Sequence, residues 1–285
     1  MSRAPDYAYV HAFARELARS GVRHVCFAPG SRSTPLVMAM AEQEGLTLWR
    51  HLDERSAAYF ALGMAKASGT PVGIVCTSGS AAANLYPAVM EAYYGRVPLV
   101  VMTADRPPEA QGIGSPQTVD QVKIFGSHVK WFANMPPEAD APEAAAYVEA
   151  AACRAVLEAV ECPQGPVHLN FPFREPLIPG PAPKAAHGPA RVAAAPRRSC
   201  TDPELFGALA RELGAVERGL IVCGPQDRPG LGEAVAALAA ALGWPVLADP
   251  LSQVRAGRHD TSLVACGYDA LLRSEEFAAR HKPEA

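Results

Sequence analysis

Four junctions in this sequence place reactive residue types just after an apolar run. The first is CFAPGSRSTPL, where the run ends at Phe27, Pro29 and Gly30 make a turn, and Ser33 or Thr34 is set to cap a helix with Pro35 in its first turn. Free N–H groups at that helix start, with Ser31 and Arg32 beside them, would hold a carboxylate or phosphate. It is not a P-loop, because G-x-x-x-x-G-K is absent. A capped helix with a surface Arg accounts for the same residues, since most of the 26 basic residues are Arg.

The second junction, LDERSAAYFALGMAKAS, opens a helix near Asp53. Helical spacing puts Glu54 on one stripe with Ala57, Ala58, Ala61 and Ala65. A carboxylate on a small, apolar packing face needs a partner, and a proton-sharing ligand nitrogen is one. Favourable placement of an acidic group in the first turn is the plainer explanation. The third, IVCTSGSAAANLYPAVMEA, passes from a strand ending at Cys76 into small residues that let a ligand or a second helix approach the backbone. The fourth, VMTADRPPEAQGIGSPQTVDQ, carries Asp105, Arg106, Gln111 and Gln117 on a polar loop of a length that is uncommon without function or disorder.

Other constellations are weak. The histidines His11, His24, His51, His128, His168, His187, His259 and His281 show no ligand spacing, and no metal site is expected in this chain. GPQDRPG has the look of a strand-to-helix turn of a nucleotide fold but is not G-x-G-x-x-G.

The elements that must position these junctions follow from pattern. Short apolar runs at Arg23 to Phe27, Leu46 to Arg50, Pro71 to Cys76, Pro98 to Thr103 and Pro166 to Asn170 read as strands. Helices start between them at about Thr34, Asp53, Ser80 and Ala141. The alternation predicts an α/β domain, a parallel sheet with helices on both faces, in which ligands collect at the carboxyl ends of the strands. Arg174 to Arg198, rich in proline, reads as a linker. The expected division is therefore a first domain over 1–173, a linker over 174–198 and part of a second, Rossmann-like α/β domain over 199–285. That second part should hold a helix over Asp202 to Leu213, a buried strand GLIVCG, a helix over Gly230 to Leu242, strands PVLAD and SLVAC, and a helix near Tyr268 to Arg280.

A chain of 285 residues with 49% hydrophobic and 19% charged residues is globular rather than disordered. A net charge of −3 argues against a general polyanion binder and leaves room for a local anion site. The seven cysteines form no C-x-x-C pair, and no apolar stretch is long enough for a membrane span. A reducing, cytoplasmic setting is expected.

Taken in series, APGSRSTPL, HLDERSAAYFALGMAKAS, TSGSAAANLYPAVMEA, TADRPPE, SPQTVDQ, HVKWF and LADPLSQVR resemble the 2-succinyl-5-enolpyruvyl-6-hydroxy-3-cyclohexene-1-carboxylate synthase family, thiamine-diphosphate enzymes of menaquinone biosynthesis. The resemblance implies a pyrimidine-binding first domain, with Glu54 as the catalytic glutamate that hydrogen-bonds the aminopyrimidine ring. It implies Pro29, Thr77 and Asn84 near the cofactor, and Ser31, Arg32, Arg106 and Gln117 around isochorismate. The implied reaction decarboxylates 2-oxoglutarate and adds the resulting enamine to isochorismate by 1,4-addition. Members of the family continue into a third domain that holds the diphosphate through Mg²⁺ or Mn²⁺, and their active site lies between subunits of a homodimer or dimer of dimers. The G-D-G metal motif is absent here, so this chain is expected to form one wall of the site and to be inactive alone. Another thiamine-diphosphate carboligase and a non-catalytic carboxylate-binding or dimerisation module remain as alternatives; Arg32 and Arg106 disfavour a carboligase with a small neutral acceptor.

Overall fold

The computed structural model describes residues 7–137, 142–179, 202–226 and 228–284. The chain divides into two compact units, Met1–Arg197 and Arg198–Ala285. The proline-rich stretch is described only as far as Pro179, and its remainder lies outside the described residues.

The first unit opens with α1 (Ala8–Arg19), β1 (His24–Phe27), α2 (Thr34–Ala41), β2 (Thr47–Arg50), α3 (Glu54–Ser68) and β3 (Val72–Cys76). It continues with α4 (Ser80–Asn84), α5 (Tyr86–Tyr94), β4 (Leu99–Asp105), β5 (Phe132–Asn134), α6 (Pro142–Val160) and β6 (Val167–Pro172). The strands form one six-stranded sheet in the order β2-β1-β3-β4-β6-β5, and every pairing is parallel. All five expected strands form, within one or two residues of their predicted ends. β5 was not anticipated, because three residues are too few to show a period.

Every residue of β3, β4 and β6 is buried, as expected of strands covered on both faces. Alternate side chains feed two cores. Val75, Val100, Met102, Leu169 and Phe171 pack with α1, α2 and α6, where Phe13 meets Phe171 edge to face at 5.0 Å. Ile74, Cys76, Leu99 and Val101 face α3, α4 and α5. The stripe Ala57, Ala58, Ala61 and Ala65 is fully buried and brings α3 close to the sheet. Burial pushes the Cys26 thiol up to about 12, so it behaves as a small apolar side chain.

The second unit holds α7 (Pro203–Gly214), β7 (Ile221–Cys223), α8 (Leu231–Leu242), β8 (Val246–Ala248), β9 (Val264–Ala265), α9 (Tyr268–Leu272) and α10 (Glu275–Arg280). Its sheet, β7-β8-β9, is parallel. Two expectations are corrected here. GLIVCG is not a buried strand: it lies at the sheet edge, and Val222 is 71% exposed because none of the described helices covers that face. The final helix is two helices, since Ser274 interrupts it and caps the second by accepting from Phe277 N–H at 3.2 Å. No helix among the described residues is long and apolar enough to cross a membrane.

Candidate functional site

The order β2-β1-β3-β4 sets four strand ends side by side, and each of the four junctions follows one of them. Between β1 and β3 the strand order reverses, which is where open α/β sheets form a crevice at their carboxyl ends. The backbones meet closely at this point. A Cβ on Gly30 would fall 2.3 Å from that of Thr77, so only glycine lets the turn after β1 rest on the buried Thr77. Pro29 beside it is exposed.

The first junction differs from expectation in its capping. A short 3₁₀ turn, Ser31–Ser33, precedes α2, and the Ser33 hydroxyl donates back to Gly30 O at 2.9 Å instead of capping the helix. Ser31 is exposed. Arg32 is almost fully buried: its Nη1 donates to Phe173 O at 2.8 Å and its Nη2 to Glu175 Oε1 at 3.0 Å. Arg106 Nη1 lies 4.0 Å from the same Glu175 oxygen. Burial and the neighbouring Arg106 charge lower the Arg32 pKa, and Glu175 opposes them. The fourth junction thus brings Arg106 to Arg32, across 74 positions of sequence no local pattern could bridge.

Asp53 caps α3, its Oδ1 accepting from Ser56 N–H at 2.8 Å and from the Ser56 hydroxyl at 2.9 Å, which lowers its pKa. Glu54 follows. The expectation that it shares the buried face is corrected: its alanine neighbours are buried, but Glu54 is only half-buried. As the first residue of α3 it leans past the helix end, where no earlier turn covers it. Asn84 Nδ2 donates to Glu54 Oε2 at 3.4 Å. The carboxylate also lies near enough to Cys76 for its charge to add to burial in raising that thiol's pKa. A carboxylate in this half-apolar position, held by an amide from the facing helix, fits the hydrogen-bonding edge of an aminopyrimidine.

Gln117 is exposed and latched to Ser78, its Nε2 donating to Ser78 O and its own backbone oxygen accepting from the Ser78 hydroxyl, each at 3.1 Å. Gly79 has φ +87, and a Cβ there would fall 2.9 Å from Gln117 Cγ, so glycine is required twice over.

Beneath these loops runs a buried polar network that sequence reasoning did not identify. Gln121 Oε1 accepts from Gly79 N–H at 2.9 Å, while its Nε2 donates to Ala104 O and Asn170 Oδ1. Asn170 Nδ2 donates to Asp105 Oδ2 at 2.8 Å. Asp105 Oδ1 accepts from Arg106 N–H and Gln111 Nε2. Burial raises the Asp105 pKa against these hydrogen bonds. Thr103 donates to Asn170 Oδ1 and therefore accepts from His168 Nε2–H, both at 2.8 Å. Burial pushes His168 down to about 3, which keeps it neutral. The available signal was period two: His168 and Asn170 are polar residues two apart in an otherwise apolar strand, so one face of β6 had to find them partners. Above the network opens a cavity of about 610 Å³ lined by Asp105, Arg106, Gln111, Asp120, Asn134 and Pro172 among others.

Residues 8–124 match the family described as thiamine pyrophosphate enzyme, N-terminal TPP binding domain. Over nearly its whole length the chain is similar to the N-terminal portion of the 2-succinyl-5-enolpyruvyl-6-hydroxy-3-cyclohexene-1-carboxylate synthases. It is 51% identical to the synthase of Geobacillus kaustophilus over 280 residues, which is 97% of this chain and 48% of that protein. Against the synthase of Chloroflexus aurantiacus it is 49% identical over 281 residues, again 97% of this chain and 47% of the relative. The chain spans about half the length of the curated relatives it matches. A solved structure of a thiamin diphosphate-dependent enzyme from Mycobacterium smegmatis superposes with a TM-score of 0.69 at 28% identity, covering 85% of this chain and 44% of that one.

Proposed function

We propose that this chain is the N-terminal part of a thiamine-diphosphate-dependent synthase that decarboxylates 2-oxoglutarate and joins the product to isochorismate by 1,4-addition, in menaquinone biosynthesis. The observation that carries the reading is the placing of one half-buried carboxylate, Glu54 after β2, and one cationic pair, Arg32 after β1 and Arg106 after β4, at the carboxyl ends of one parallel sheet. The likeness to the synthases over 97% of the chain supports it. Residues 1–173 are proposed as the pyrimidine-binding domain and 199–285 as part of the central one, joined by 174–198.

The cofactor supplies the carbanion chemistry when bound. Glu54 hydrogen-bonds the aminopyrimidine ring and shares its proton. Pro29, Thr77 and Asn84 shape the cofactor side of the crevice, and Asn84 also orients the Glu54 carboxylate. Ser31, Arg32, Arg106 and Gln117 form the substrate side, where cationic and amide groups hold the carboxylates of isochorismate. The diphosphate and its Mg²⁺ or Mn²⁺ are assigned to a further domain of a partner subunit in a cytoplasmic homodimer or dimer of dimers. The chain therefore contributes one wall.

Glu54→Gln in the complete synthase built on this sequence should lower turnover by about 10²-fold or more with little change in melting temperature. Unchanged turnover would remove Glu54 from the mechanism. The 285-residue chain mixed with both substrates, thiamine diphosphate and Mg²⁺ should show none.

A further inference from the structure

The Arg32–Arg106 pair already holds a carboxylate, and it is the chain's own. Glu175 reaches Arg32 from 143 residues away and lies with one oxygen between the two guanidinium groups. The charges do not balance, since two cations share one anion. Both arginines also keep a buried Nε–H with no partner among the described residues. Arg32 is itself 5% exposed, so its guanidinium is a built donor rather than a solvated surface charge. Glu175, in contrast, has a side chain 70% exposed. It can swing into water at little packing cost.

We propose that Glu175 is a built-in competitor for this site: its carboxylate stands in for a ligand carboxylate on the Arg32–Arg106 pair and has to be displaced before one binds. This rests on the reading of the pair as the substrate-carboxylate site. With Glu175 in place, the Nη2 of Arg32 is taken and its Nη1 is held by Phe173 O. A tethered carboxylate competes as though present at millimolar concentration. Ligands with one carboxylate and no other strong contact lose that competition at cellular concentrations. A dicarboxylate that pairs with both arginines and completes the unmatched charge prevails. The cost is a uniform one, because every ligand that needs Arg32 binds only to the fraction of molecules in which Glu175 has left.

Glu175→Gln tests this cleanly, since the exposed amide keeps an oxygen for Arg32 Nη2 and removes only the charge. Isothermal titration of the 285-residue chain with isochorismate and with benzoate, for wild type and E175Q, reads the effect; thermal melts of both check the fold. The proposal expects the dissociation constants of both ligands to fall about tenfold in E175Q. If E175Q binds isochorismate equally or more weakly, while Arg106→Gln abolishes binding, Glu175 is a fixed support for Arg32 and the proposal is overturned with the carboxylate site intact. If neither wild type nor E175Q binds isochorismate at millimolar concentration, the carboxylate reading of the pair falls and takes the proposal with it.

Discussion

β4 in the first unit buries all seven of its residues, whereas β7 in the second leaves Val222 71% exposed and α7 buries none of its twelve. Both units are parallel sheets with helices, written in the same alternating pattern. What separates them is cover. In the first unit apolar cores on both faces of the sheet isolate a layer of Thr103, His168, Asn170, Gln121 and Asp105 from water. Only in such isolation does a hydrogen bond gain enough strength to hold loops at a fixed geometry. The second unit has one small core, around Val235, Val246, Ala248 and Val254, and no comparable buried polar layer among its described residues. The candidate site stands where the sheet is sealed.

The comparison is most easily broken by truncating cores. Phe171→Ala should cost about 3–5 kcal/mol in urea unfolding, since the ring is fully buried against Phe13 and Phe173. If it costs no more than Leu205→Ala in α7, the contrast in cover has no energetic meaning.

Acid titrates the sealed layer itself, through the pKa of His168. The folded His168 value, about 3, lies below its ordinary value of 6.5, so the unfolded state takes up the proton first. Stability is fully present above pH 6.5 and is lost as pH falls towards 3, by about 1.4 kcal/mol per unit at the steepest. The Asp105 shift has the opposite sign, so the difference between wild type and His168→Gln isolates the histidine. Acid unfolding with the same slope in both proteins would show that His168 is not sealed.

Gln121→Ala, which leaves Gly79 N–H and Ala104 O without their partner, should cost about 1–3 kcal/mol. It should also accelerate hydrogen exchange at the Gly79 amide specifically; a uniform acceleration would argue against a local clamp. The smallest effect belongs to the second unit: Leu205→Ser, at a site 63% exposed, should stay within about 0.5 kcal/mol. A larger loss would mean that α7 is covered in solution.

Much of the first unit was legible because its signals are local. Val72–Cys76 and Leu99–Asp105 are apolar runs bounded by turn residues, and the alanine stripe of α3 declares its buried face by spacing alone. Spacing does not report where a helix end stands relative to the layer above it, so the half-exposure of Glu54 was hidden. Glu175 was hidden more deeply. It sits in a proline-rich stretch that reads as linker, and only the fold brings it to Arg32. Gln121 was lost in a polar loop without period, although its neighbour Gln117 was picked out there. In the second unit the short runs were found, but burial was over-read from hydrophobicity, because a strand's composition says nothing about whether it stands at an edge.

The hydrogen bonds beneath the site run in one direction. The His168 proton points at Thr103, the Thr103 proton at Asn170, and the Asn170 amide at the Asp105 carboxylate, which can only accept. No member can be inverted without placing donor against donor. The layer therefore has a donor–acceptor parity that any single polar substitution violates. Thr103→Val would strand both the His168 Nε2–H and one lone pair of Asn170, and a compensating apolar residue at position 168 would relieve only the first. Exchanges at these positions have to come in matched sets, so the polar layer should change as one unit or not at all.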